Sequence, residues 1–136
     1  MPRFLIVDHS MEPALSDGDH IRCTRLRDLP PRGAVAVFVH PLIPDFWLIK
    51  RVIGLPGEEV EIDLGQVLIN GRPGLDAWGR GGTFPDGHWK LGPGTLFVLS
   101  DNREATVDDS RRFGPVSTEG MLVATRRSLR RPRLRR

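Results

Sequence analysis

The stretch FWLIKRVIGL (residues 46–55) limits the fold more than any other part of the chain. In an extended strand it carries apolar side chains on both faces: Trp47, Ile49 and Ile53 on one, Leu48 and Val52 on the other. A strand of that kind is buried on both sides or runs through a barrel. Other segments read the same way. AVAVFVH (34–40) is β-branched and aromatic between the breakers PPRG and HPLIP. FLIV (4–7), IRCTRL (21–26), TLFVLS (95–100) and GMLVATR (120–126) are further short strands. EEVEIDLGQVLINGRP (58–73) reads as a hairpin, with Val60/Ile62 and Val67/Ile69 alternating around Gly65 and a favoured Asn70-Gly71 turn pair. Fifteen Gly and twelve Pro favour turns over long helices. Residues 74–90 hold five Gly and two Trp with no period, and read as a long surface loop. Residues 101–115 read as an irregular loop. The sum is an all-β, partly barrel-like domain over residues 1–125.

Charge sets that domain apart from the C-terminal end of the chain. The net charge is +3, yet residues 126–136 alone carry seven Arg and no acid. The body is therefore mildly acidic, and the basic end reads as a solvated, disordered tail that could meet an anionic membrane surface. An acidic body and a tail without interleaved aromatics argue against a nucleic-acid binder. A single cysteine, Cys23, rules out an internal disulfide. No segment approaches the roughly 18 apolar residues of a membrane span, so the expected setting is cytoplasmic or peripheral to a membrane.

Two short segments carry the chemistry. Lys50 alternates with Leu48 and Val52, which assigns it to their buried face. Desolvation disfavours a charged amine and makes a neutral base available. Arginine could not serve, because its guanidinium stays protonated. The chain has eighteen Arg but only two Lys, Lys50 and Lys90, so a lysine in this strand is pointed. The second segment is HSMEPALSDGD (9–19). Ser10 follows a short strand and Pro13 forces a turn, which exposes a hydroxyl and frees backbone N–H groups for an oxyanion. Ser10 as nucleophile and Lys50 as its base form an activated pair.

The residues around this pair bear a family resemblance. HSMEPALSDGD resembles the S-M-x-P-x-L…G-D box of the type I signal peptidases. WLIKRVIGLPGE (47–58) resembles their lysine box, and SDNREATVDDSRRFGPV (100–116) their third box. PRGAVAVF (31–38) is similar to the strand between the first two. On these grounds the chain is identified as a member of that family, a short form of Ser/Lys serine protease. The resemblance implies a coiled, barrel-like β domain that cuts leader or signal peptides from precursor proteins after small residues. It implies that the Ser10 backbone N–H holds the oxyanion, and that Met11 and Pro13 set the turn after the nucleophile. In the third box it implies a salt bridge between Asp109 and Arg111, with Asp101, Asn102 and Ser110 shaping the site. No cofactor or metal is implied.

Some positions depart from the family pattern. Ser100 replaces a usual Gly. One extra residue in the third box makes Thr106 the counterpart of the hydroxyl that orients the lysine. Asp8 stands where relatives have Ser or Gly, and a carboxylate there would repel an oxyanion. Relatives carry a membrane anchor ahead of the serine. With nine residues before Ser10, the expected form acts on soluble substrates or reaches a membrane through its tail. VHPLIPDFWLIKRV (39–52) also resembles anchorless proteases that mature nickel-containing superoxide dismutase. A self-cleaving LexA-type regulator shares the chemistry, but nine residues leave no room for its DNA-binding domain.

Other constellations are weaker. Asp8, His9 and Ser10 are chain neighbours and cannot relay hydrogen bonds as a triad. His9, His20, His40, His88 and Cys23 lack metal spacing and read as surface or loop residues. Trp78 and Trp89 read as packing groups, and the acids of EIDLGQ and VDD as solvent-facing.

Overall fold

A computed structural model describes residues 2–129 of the chain. Ten strands and two helical turns are arranged in the order β1 (Arg3–Leu5), β2 (His20–Arg25), β3 (Val35–Val39), β4 (Trp47–Gly54), β5 (Glu59–Asp63), β6 (Gln66–Ile69), β7 (Gly87–Lys90), β8 (Thr95–Leu99), α1 (Ser110–Phe113), β9 (Val116–Ser117), β10 (Leu122–Ala124) and α2 (Arg126–Leu129). The fold is all-β, as the alternating patterns require. Seven strands form one antiparallel sheet in the order β1-β2-β10-β3-β4-β8-β9, and three form a second in the order β6-β5-β7. Both sheets are open.

The period of two explains why the large sheet is buried on both sides. Val35 and Val37 of β3 pack with Ile6, Met11, Leu15, Ile21, Cys23 and Ala124. Ala36 and Phe38 turn to the other face and join Leu48, Val52, Leu96 and Val98. Further along, Ile53, Phe97 and Leu99 meet Val60, Ile62, Val67 and Ile69 of the small sheet. The register of β4 against β8 shifts between Val52 and Gly54. A Cβ on Gly54 would lie 2.7 Å from the Val60 side chain and 2.9 Å from Phe97, so the two sheets close on each other only over glycine.

The hairpin at 58–73 forms with Leu64-Gly65 as its turn, both with positive φ. Asn70-Gly71 makes a second tight turn that returns the chain to Arg72. The segment 74–90 is not all loop. Gly87–Lys90 pairs with β5 as β7, a strand whose only apolar side chain is Trp89, so no alternation announced it. Likewise Ser110–Phe113 makes one helical turn inside the expected loop, with Asp109 as its N-cap. At the start of the basic end, Arg126–Leu129 forms a helical turn, tied to β2 by the Arg22 N–H donating to Ser128 Oγ at 2.8 Å. Residues 130–136 of the basic tail lie outside the described residues.

Candidate active site

Lys50 is buried by the alternation of β4, with Leu48 and Val52 on the same face. On one side its partner is Ala36 of β3, small enough to leave the lysine stem room. On the other, β4 pairs with β8 through Arg51↔Leu99 and Val52↔Val98. One further step of that register sets Lys50 opposite Ser100. There the Lys50 Nζ donates to Ser100 Oγ at 2.9 Å. Ser100 is fully buried, and its own N–H donates to Asp109 Oδ2 at 3.0 Å. Burial pushes the Lys50 amine below its ordinary pKa; Asp109 is the main opposing charge, followed by Asp8 and Asp108.

Ser10 sits in the turn that comes after β1. The segment is closed by Ile6 N–H to Asp19 O (2.8 Å), Gly18 N–H to Ile6 O (2.8 Å) and Leu15 N–H to Met11 O (2.9 Å). Met11 and Leu15 anchor it in the core, while Pro13 is exposed in the turn. Asn102 clamps it from the third box: its N–H donates to Ser10 O at 2.9 Å and its Nδ2 to His9 O at 3.1 Å. Ser10 and Lys50 line one open pocket, whose other walls are mainly apolar: Leu5, Ile6, Val7, Met11, Phe46, Trp47, Leu48 and Ile49.

Behind the pair stands a layer of buried ion pairs. Arg51 binds Asp101 with two hydrogen bonds of 3.1 and 2.6 Å. Arg111 and Asp109, both fully buried side chains, are 2.7 Å apart. Arg111 also donates to the carbonyls of Phe84, Arg103 and Thr106. Ser110 Oγ accepts the Val98 N–H at 2.9 Å and ties α1 to β8. Asp109 of the V-D-D run therefore faces inward. Asp108 accepts from His40 Nε2 at 2.9 Å, and His40 is buried against Phe46 and Phe113 rather than exposed. Trp78 and Trp89 do pack: Trp78 lies under the Arg51 guanidinium and Trp89 against Phe97.

Two expectations need correction. Thr106 does not reach the lysine; its hydroxyl accepts the Asp108 N–H at 3.0 Å in a local turn. The hydroxyl at the amine belongs to Ser100, the position that looked like a mere departure. Strand parity held the missing signal, since Ser100 continues the Leu96–Val98 face. The second correction concerns the oxyanion donor. The Ser10 N–H is engaged, donating to Asp8 Oδ1 at 3.0 Å. Cys23 offers no rival nucleophile, because burial pushes its thiol up to about 11. Among the described residues no cluster of His, Cys, Asp and Glu could hold a metal ion.

Residues 1–128 match the family described as signal peptidase, peptidase S26. The chain belongs to the signal peptidase family. The signal peptidase I of Leptolyngbya laminosa is 34% identical over 131 residues, covering 86% of this chain and 63% of that protein. A probable signal peptidase I-2 of Synechocystis sp. is 35% identical over 128 residues, covering 86% and 57%. The crystal structure of a signal peptidase I from Enterococcus faecalis aligns with a TM-score of 0.59 at 28% identity, over 69% of this chain and 94% of that one. The chain thus shares the family's β fold, and it spans less than two thirds of the length of these first two relatives. No helix among the described residues is long and apolar enough to cross a membrane.

Proposed function

We propose that this domain is a serine endopeptidase that removes leader or signal peptides from precursor proteins, with Ser10 as nucleophile and Lys50 as general base. The observation that carries the reading is the buried Lys50 amine, pushed toward its neutral form and oriented by Ser100, in the pocket that Ser10 lines. The Ser10 Oγ attacks the scissile carbonyl carbon while Lys50 Nζ takes its proton. The ammonium then gives that proton to the leaving amine, and an acyl-serine remains. Water, deprotonated by the same amine, releases the peptide and restores Ser10. The mainly apolar pocket suits an uncharged side chain at the cut, and the family resemblance supports a small one. The Arg-rich end, with Arg3 and Arg22 paired across β1 and β2, supports contact with an anionic membrane surface and a place peripheral to it. The alternative is a maturation protease for one soluble precursor, such as that of a nickel superoxide dismutase, which the resemblance of residues 39–52 supports.

The test is cut-site mapping by mass spectrometry on exported precursors, using the wild type, Ser10→Ala and Lys50→Arg. Both variants lose cleavage while keeping the wild-type circular dichroism spectrum. Full activity in Lys50→Arg sinks the base assignment, because a guanidinium does not deprotonate at neutral pH.

A further inference from the structure

Asp8 stands where a carboxylate hinders the proposed chemistry. It accepts the Ser10 N–H at 3.0 Å, and that N–H belongs to the nucleophile's own residue, where a tetrahedral oxyanion would seek a donor. Among the residues lining the pocket, Asp8 is the one carboxylate. Neither of the two basic side chains beside Ser10 in the site pairs directly with Asp8. His9 is turned to Glu12 at 2.8 Å. Lys50 donates to Ser100 and reacts only as the neutral amine. A competent site would therefore hold a negative charge on its oxyanion donor, and a second negative charge forming there would be repelled. Asp8 is itself exposed, so a substrate side chain can reach it.

We propose that Asp8 is a specificity-determining residue: its carboxylate closes the Ser10 N–H until a basic side chain, carried by the substrate beside the scissile bond, draws it away. The inference rests on Ser10 and Lys50 being the catalytic pair. A substrate lysine or arginine takes over the carboxylate, frees the N–H and cancels the charge that opposes the oxyanion. A substrate with only small neutral side chains has to displace Asp8 into water first, and its reaction then has only the Lys50 ammonium, held at Ser100, to offset that charge.

The experiment uses matched peptides in which one lysine is moved through the two residues on each side of the cut, against an all-neutral parent. Wild type cleaves the best lysine peptide roughly 10- to 100-fold faster in kcat/KM than the parent, the range of a charge-assisted hydrogen bond. Asp8→Ser and Asp8→Gly cleave the neutral parent at least about tenfold faster than wild type, through kcat, and their lysine preference shrinks to about twofold. Asp8→Asn, which keeps the shape without the charge, also loses the preference. An equal lysine preference in wild type and Asp8→Ser overturns the proposal. So does slower cleavage of every peptide by Asp8→Gly with an unchanged Tm, because Asp8 would then be holding a productive turn. Undiminished activity in a parallel Ser10→Ala sample is a separate failure, that of the catalytic reading.

Discussion

Removing one oxygen from Ser100 perturbs the site with little else disturbed. The side chain is fully buried, and its Oγ accepts from the Lys50 amine at 2.9 Å. In Ser100→Ala the backbone N–H still donates to Asp109, so the end of β8 keeps its tie to α1. The variant loses the acceptor that aims a buried amine. Lys50 becomes an ammonium as it takes the Ser10 proton, a hydrogen bond to a charged group is worth about 1.5–3 kcal/mol, and each ~1.4 kcal/mol is a factor of ten in rate. The kcat/KM of Ser100→Ala therefore falls roughly 10- to 100-fold. The loss lies in kcat, because Ser100 is behind the lysine and not on the pocket wall. Steady-state cleavage of a fluorogenic peptide measures it, with a thermal melt to exclude unfolding. Thr106→Ala is the control. Its hydroxyl serves a local turn, so its kcat/KM stays within about threefold of wild type. Full activity in Ser100→Ala, or an equal loss in Thr106→Ala, refutes Ser100 as the residue that positions Lys50.

The pH profile carries the sign of the Lys50 shift. Burial lowers that pKa from 10.5, so kcat/KM rises with pH about a midpoint below the ordinary lysine value. Asp8→Ser removes a charge that raises it and moves the midpoint to lower pH. Between the lowered folded pKa and the unfolded one, the native state binds fewer protons, so stability rises with pH there; Lys50→Met abolishes that rise in denaturant titrations. Asp109→Asn strands the buried Arg111 and costs about 3–5 kcal/mol, a Tm loss of roughly 10–20 °C by calorimetry. An unchanged Tm would refute a structural role for that pair. Deleting residues 130–136 leaves peptide cleavage unchanged and weakens sedimentation with anionic vesicles, since it removes five of the arginines. Unchanged vesicle binding excludes a membrane role for them.

The strands were legible wherever a two-residue period reached the core. β3, β4 and β8 carry that period on both faces, and their β-branched and aromatic residues leave no helical reading. β7 was not legible, because its pairing with β5 uses backbone groups and only Trp89 packs. The burial of His40 was equally hidden, since the aromatic rings and the carboxylate around it come from residues up to 73 positions away. Trp78 beneath Arg51 is another meeting across the chain that no local pattern records.

The site divides along the same line. The sequence alone determined that position 50 is a buried lysine and that Ser10 opens a turn, because both facts are local: alternation decides burial, and Pro13 with the flanking strand decides the turn. Tertiary structure decided who touches them. Ser100 meets Lys50 because β4 and β8 pair in one register and not its neighbour, and a slip of one residue would have turned that hydroxyl to the other face. The Asp8 contact is of the local kind, its carboxylate reaching forward two residues to the Ser10 N–H, and the fold decides only that this turn lies against Lys50 in one pocket. Residue types set which chemistry was available, and strand register and turn geometry set which groups perform it.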